Sequence, residues 1–263
     1  MLQRAYYSAT IAKFLQSSED EIVGVLASKH AFALEIEQRN AWLSQIKILR
    51  NELDSRSDGW VFFEFVVPRM GKRADVVLLI DEVVFILEFK VGERRHNSSA
   101  VEQALDYALD LKNFHEGSHD RRIVPIAVST EADPSESALK WYSDGIARPL
   151  LSNGSDLDAL IGSVLDSINL DDAKYSISMD RWPFSGYRPT PTIVEAAQAL
   201  YRGHSVREIS RSDAGSKNLS ATSDCILDIV SKSRQLGQKS ICFVTGVPGA
   251  LMNPLIFRGL IMA

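Results

Sequence analysis

The chain has 263 residues, 45% of them hydrophobic and 24% charged, with a formal net charge of −5. These are the proportions of an ordinary globular protein, and the length is ample for a sizeable core. Fifteen glycines, nine prolines and no repeat period exclude collagen-like, coiled-coil and low-complexity classes. Two cysteines, Cys225 and Cys242, are too few to staple a chain of this size and fit a reducing, cytoplasmic setting. The acidic balance argues against coating nucleic acid by bulk charge but permits a local basic cleft.

Residues 1–15 carry Arg4 and Lys13 without a continuous apolar run, so no secretory leader is expected. Residues 76–89 are the most apolar internal stretch, but Asp81, Glu82 and Glu88 interrupt it, so no membrane span or membrane partner is expected.

In chain order, residues 1–24 form a lead-in segment, with residues 5–28 irregular or helical around the acidic cluster Glu19, Asp20 and Glu21. Residues 30–53 are predicted helical, because Trp42, Ile46, Leu49 and Leu53 recur on one face. Three runs rich in Val, Ile and Phe follow, at residues 60–67, 74–80 and 83–89, separated by a Pro–Gly break at 68–71 and a tight Asp81–Glu82 turn. Short connections make them an antiparallel meander. Ser98 or Ser99 caps a helix running to about His115, and residues 123–129 are a fourth, buried strand. Residues 131–180 are read as further helices. An aromatic connector holding Trp182, Pro183, Tyr187, Pro189 and Pro191 follows, then helices at 193–201 and 223–236. Residues 239–249 read as a strand entering a Gly-rich turn. The order helix, three strands, helix, strand predicts an α/β fold, a mixed sheet flanked by helices.

The chemistry concentrates on two strands. Glu88 and Lys90 are two apart and share a face. A hairpin turning at Asp81–Glu82 sets Asp75 opposite Glu88, so two carboxylates meet beside a lysine. Paired carboxylates repel unless a cation lies between them, and Mg²⁺ takes one or two carboxylates together with water and phosphate oxygens. An adjacent lysine activates water or neutralises developing phosphorane charge. The set suits metal-assisted phosphodiester hydrolysis. Nearby Arg69, Lys72, Arg73, Arg94, Arg95, Arg121 and Arg122 would supply the local positive charge that nucleic acid needs.

Asp75, twelve intervening residues, then Glu88-Phe89-Lys90 resembles the signature of the PD-(D/E)XK nuclease superfamily, with Ala74 standing where the name-giving proline would. The resemblance implies a restriction-endonuclease-like core at residues 25–175 and a Mg²⁺- or Mn²⁺-dependent hydrolase acting on nucleic acid, DNA ranked ahead of RNA. It also implies a further acid from an earlier element, Glu64 or Glu35, and a following helix carrying Gln103 and Tyr107 on one face. Glu64 through Pro68, then Lys72 through Asp75, together with residues 187–201 and 204–210, resemble a bacterial nuclease–helicase group akin to the Schlafen-like (group 3) helicases. That implies a helical connector at 176–238 and a defence or repair setting.

Residues 240–250 look like the opening of a Walker A phosphate loop, with Gly246 and Gly249 in place. Leu251, Met252 and Asn253 occupy the positions that need Gly, Lys and Ser/Thr, so the loop is read as vestigial and ATP is not expected to bind. Residues 239–263 are therefore read as a helicase start with an aberrant or truncated tail. The competing functions are a non-catalytic nucleic-acid-binding module and a remnant P-loop NTPase. His115-Glu116-Gly117-Ser118-His119 formally matches the zinc-protease motif, but Gly117 and Ser118 weaken a helix there, and a loop with two surface histidines is expected instead. Cys225 and Cys242 are read as buried packing residues.

Overall fold

The structure, a computed structural model, describes residues 4–30, 35–67, 72–135, 138–168, 177–187 and 213–238. One six-stranded sheet organises it, with its strands in chain order. β1 (Tyr7–Thr10), β2 (Trp60–Val67), β3 (Lys72–Ile80) and β4 (Val83–Lys90) are antiparallel neighbours. β5 (Ile123–Ser129) and β6 (Leu150–Ser152) continue the sheet in parallel with β4. The helices are α1 (Ile11–Gln16), α2 (Glu19–Lys29), α3 (Ile36–Glu52), α4 (Ser98–Phe114), α5 (Leu157–Asp166) and α6 (Asp213–Leu236). The fold is the mixed α/β class expected from the order of hydrophobic patterns.

Each sheet face carries its own core. α1, α2, α3 and α5 cover one side with Phe14, Ile22, Trp42, Ile46, Leu49 and Ile161, against Val76, Leu78, Phe85 and Leu87. α4 covers the other with Tyr107, Ala108 and Leu111, against Phe62, Phe65, Val77 and Ile86. Because both faces are covered, β4 and β5 are buried almost throughout, and they read in the sequence as continuous apolar runs rather than alternating ones.

Local chemistry explains most boundaries. Asp81 and Glu82 both adopt positive φ, 45° and 66°, as the two central residues of a hairpin turn that follows strand twist must. That turn fixes the β3–β4 register from Ile80↔Val83 to Val76↔Leu87, as the sequence predicts. The acidic cluster Glu19, Asp20, Glu21 is the first turn of α2, where it complements the helix dipole, and Ser18 caps it by accepting the Glu21 N–H at 3.1 Å.

Several expectations change. Residues 7–10 form an edge strand, not irregular or helical chain, because Tyr7 and Ala9 turn inward against β2. The cap of α4 is Asn97, whose side chain accepts the Ala100 N–H at 2.8 Å, not Ser98 or Ser99. Among the described residues of 131–180 the structure shows β6 and one helix, α5, rather than helices throughout. Trp182, expected in a connector, is fully buried in the α4-side core between Phe62, Phe65 and His115. The packed unit therefore extends past residues 25–175 at both ends.

The helix expected at 223–236 is present as α6 and begins at Asp213; Cys225 on it is exposed rather than buried. Among the described residues no helix is long and apolar enough to cross a membrane. Arg69, Cys242, the helix at 193–201, the phosphate-loop residues Gly246 and Gly249, and the tail 251–263 lie outside the described residues.

Candidate metal centre and active site

The register carries one acid from each of three neighbouring strands into a single row. Phe63↔Val76 and Phe65↔Ala74 bracket Glu64 and Asp75, and Val76↔Leu87 places Glu88 next in line. The sheet distorts at this row. Phe62 packs on the α4 side and Phe63 on the α3 side, yet Phe65 returns to the α4 side, so the alternation slips by one residue. Glu64 absorbs the slip with φ of 52°, a left-handed backbone that a non-glycine residue adopts only when its surroundings enforce it.

Those surroundings are specific. Glu64 is buried, and its Oε1 accepts from Trp42 Nε1 at 2.9 Å and Gln38 Nε2 at 3.2 Å. Its Oε2 accepts from Arg73 Nε at 2.6 Å. α3 therefore reaches the row through Gln38 and Trp42, one helical turn apart on the same face. Glu35 stands apart from these contacts: it precedes the first turn of α3, at its N-cap, and is exposed. Its seven-residue spacing from Trp42 would carry meaning only inside the helix, and the helix starts after it.

Asp75 and Glu88 are the neighbouring acids of β3 and β4 in this row. Asp75 Oδ2 accepts the Phe89 N–H at 2.8 Å, which ties the pair together where the β3–β4 ladder stops. Lys90 Nζ donates to Glu88 Oε1 at 2.8 Å, confirming that Glu88 and Lys90 share a face. Burial, then the neighbouring Glu88 charge, pushes the Asp75 carboxyl well above its ordinary range, against the pull of the Phe89 N–H. Burial also raises Glu88, with Lys90 opposing the shift.

From α4, Gln103 Nε2 donates to Tyr107 Oη at 2.9 Å. Burial and the acids Glu88, Asp75 and Glu64 push the Tyr107 phenol up to about 12, so it remains protonated at neutral pH. With its oxygen taken by Gln103, the phenol keeps its own hydrogen to give. The expected set Asp75, Glu88, Lys90, Glu64, Gln103 and Tyr107 is thus brought together around one end of β3 and β4.

The donor set fits a divalent cation. Glu88 Oε2 is buried and accepts no hydrogen bond, an orphaned carboxylate oxygen beside a second desolvated acid. Among the described residues no three His, Cys, Asp or Glu side chains form a ready cage. Two carboxylates leave the remaining positions to water and phosphate, the pattern Mg²⁺ favours.

The expected basic residues divide by location. Lys72 is exposed, and its charge acts on Glu88. Arg73 is held between Glu64 and the Tyr6 ring, 4.9 Å from its centroid. Arg94 and Arg95 are exposed beyond the end of β4, Arg94 in a solvent-screened pair with Glu131 at 3.2 Å. Arg121 and Arg122 lie at the opposite end of the strands. Arg121 is buried and binds Glu82 and the carbonyls of Gly117 and Ile177, while Arg122 stacks over Trp141.

His115 is not a surface histidine. It is fully buried, its Nδ1 within 2.8 Å of Ser118 Oγ and its Nε2 within 2.9 Å of Ser185 Oγ. Both ring nitrogens serve the buried anchor of the segment around Trp182, and α4 has already ended at Phe114, so the zinc-protease geometry is not formed.

Sequence reasoning missed Gln38, Trp42 as a hydrogen-bond donor, and Ser129, which β5 sets beside Lys90. No family model matches the chain, and no curated protein or solved structure matches it.

Proposed function

We propose that the chain is a metal-dependent nuclease that hydrolyses nucleic-acid phosphodiester bonds, with DNA as the first substrate to test. The observation that carries this reading is the buried, unpartnered Glu88 Oε2 in a row with Asp75, beside the Lys90 ammonium. Asp75 and Glu88 would hold Mg²⁺ or Mn²⁺, which when bound supplies Lewis acidity and charge neutralisation at a phosphate. Lys90 places positive charge next to that position, where it stabilises charge developing on the phosphoryl oxygens and orients an attacking water. Tyr107 donates a hydrogen bond from a phenol that stays neutral, and Gln103 fixes its orientation. Glu64 holds Arg73 and locks the distorted strand, so it acts by positioning. Lys72, Arg94 and Arg95 would contact phosphates away from the cut. The coupling to a helicase that the sequence resemblance implies rests on residues outside the described ones.

The purified full chain should cut circular and linear DNA, or RNA, in Mg²⁺ or Mn²⁺ and not in chelator. Lys90→Ala should lower the rate by about a hundredfold or more. A parent chain that binds nucleic acid without cutting any of these substrates would overturn the reading in favour of a binding module.

A further inference from the structure

Ser129 closes β5 directly beside Lys90, as its partner in the parallel β4–β5 register. Residues paired in this way point to the same face of the sheet, so the Ser129 hydroxyl lies on the face that carries the Lys90 and Glu88 side chains. The backbone on both sides of the pair is fixed. Thr130 N–H donates to the Lys90 carbonyl at 3.2 Å, Gly92 N–H donates to Thr130 Oγ1 at 2.8 Å, and Ala132 N–H donates to the Ser129 carbonyl at 3.0 Å. Yet Ser129 is completely buried, and its Oγ has no hydrogen-bond partner. A buried hydroxyl without a partner is unfavourable, so Ser129 Oγ calls for a group to satisfy it. Lys90 is the nearest source by register: its ammonium has three hydrogens, and Glu88 Oε1 takes one of them.

We propose that Ser129 is a positioning residue of the same site, holding the Lys90 ammonium against Glu88 through one buried water that bridges Ser129 Oγ and Lys90 Nζ. Such a water would have polar partners on both strands, Ser129 Oγ and Lys90 Nζ, and would satisfy the buried hydroxyl. With both Glu88 and Ser129 engaged, Lys90 keeps one hydrogen for the substrate phosphate, and its side chain has one preferred orientation instead of several. Removing the hydroxyl would loosen Lys90 without removing its charge. This role rests on the nuclease reading for its catalytic consequence, but the arrangement of Lys90 can be tested separately.

Two readouts distinguish the two ideas. Acylation of lysines by a small amine-reactive reagent, followed by peptide mass spectrometry, reports how firmly Lys90 is held, with Lys13 and Lys47 as internal references. Ser129→Ala should raise the Lys90 acylation rate several-fold at unchanged reference rates, and Ser129→Thr, which keeps a hydroxyl, should restore the parent rate. In cleavage assays Ser129→Ala should lower kcat roughly tenfold with KM unchanged, again rescued by threonine. If labelling shifts as stated while no variant and no parent cuts nucleic acid, the nuclease reading fails and the positioning of Lys90 stands. An unchanged Lys90 labelling rate in Ser129→Ala overturns the positioning role, as does an equal effect in the alanine and threonine variants.

Discussion

Replacing Asp75 by asparagine is expected to abolish cleavage and at the same time to stabilise the metal-free protein. Asp75 and Glu88 are desolvated acids, with the Glu88 charge raising Asp75 and the Glu64 charge raising Glu88, so their joint ionisation opposes folding at neutral pH. Asparagine keeps an oxygen for the Phe89 N–H and removes one of the two like charges. Relief of that desolvated like-charge contact should appear as a rise in Tm of the metal-free variant. If Asp75 and Glu88 hold a cation as proposed, metal reverses the order. At a cation concentration a hundred times Kd the parent gains about 2.7 kcal/mol, whereas the variant, with a neutral ligand in place of a carboxylate, gains far less. Activity should fall by roughly 10²–10³-fold or more, because the variant would lose part of the charge proposed to hold the cation. Thermal unfolding of both proteins in chelator and in Mg²⁺, next to the cleavage assay, checks all three statements. A variant less stable than the parent in chelator would refute the account of the pair.

Trp182→Ala is expected to destabilise the fold by about 3–5 kcal/mol, lowering Tm by roughly 10 °C. The indole is completely buried, packs on Phe62 and Phe65 with ring centroids 5.4 and 5.2 Å away, and donates from Nε1 to Ser118 Oγ at 3.1 Å. Its loss leaves a cavity and removes the partner that holds the segment against α4. If 177–187 were only a tether between modules, the same change would leave stability within about 1 kcal/mol of the parent. Calorimetric or circular-dichroism melting decides between them.

The same anchor gives a pH dependence. Burial first, and then the charges of Arg4, His119 and Arg121, hold His115 well below the ordinary histidine range, so it is neutral in the folded chain. The unfolded chain takes up a proton near pH 6.5, and the folded one does not until the pH is much lower. The stability from a neutral His115 is therefore complete above about pH 6.5, and it declines by about 1.4 kcal/mol per pH unit as the pH falls toward the folded value. Asp75 and Glu88 act in the opposite sense, since their raised folded values favour the native state as they protonate. Denaturant titrations between pH 7 and 5 in the Asp75→Asn background should expose the His115 slope, and His115→Gln in that background should flatten it. An undiminished slope in the double variant would remove His115 as its source.

Much of the arrangement was legible in the residues because it is local. A two-residue Asp81–Glu82 turn fixes register, and register alone puts Asp75 beside Glu88. The period of two along β4 puts Lys90 on the Glu88 face, and the spacing of Trp42, Ile46, Leu49 and Leu53 gives the inward face of α3. In the same way Gln103 and Tyr107 meet because they are one helical turn apart.

What the sequence could not decide depends on partners distant in the chain. Tyr7–Thr10 is a strand only because β2 offers an edge, since four residues carry too little periodicity of their own. Trp182 reads as part of an ordered connector between modules until the pocket between Phe62, Phe65 and His115 exists to bury it. His115 resembles a surface or zinc-binding histidine until the fold brings two serines to its ring. Glu35 and Glu64 are equivalent candidates as letters. Only the left-handed turn at Glu64, with Trp42, Gln38 and Arg73 closing on its carboxylate, separates them. Local periodicity and the Asp81–Glu82 turn thus determined β2 to β5, the β3–β4 register and the Asp75–Glu88–Lys90 grouping. Burial and long-range hydrogen bonding, which no spacing encodes, decided which surrounding groups support it.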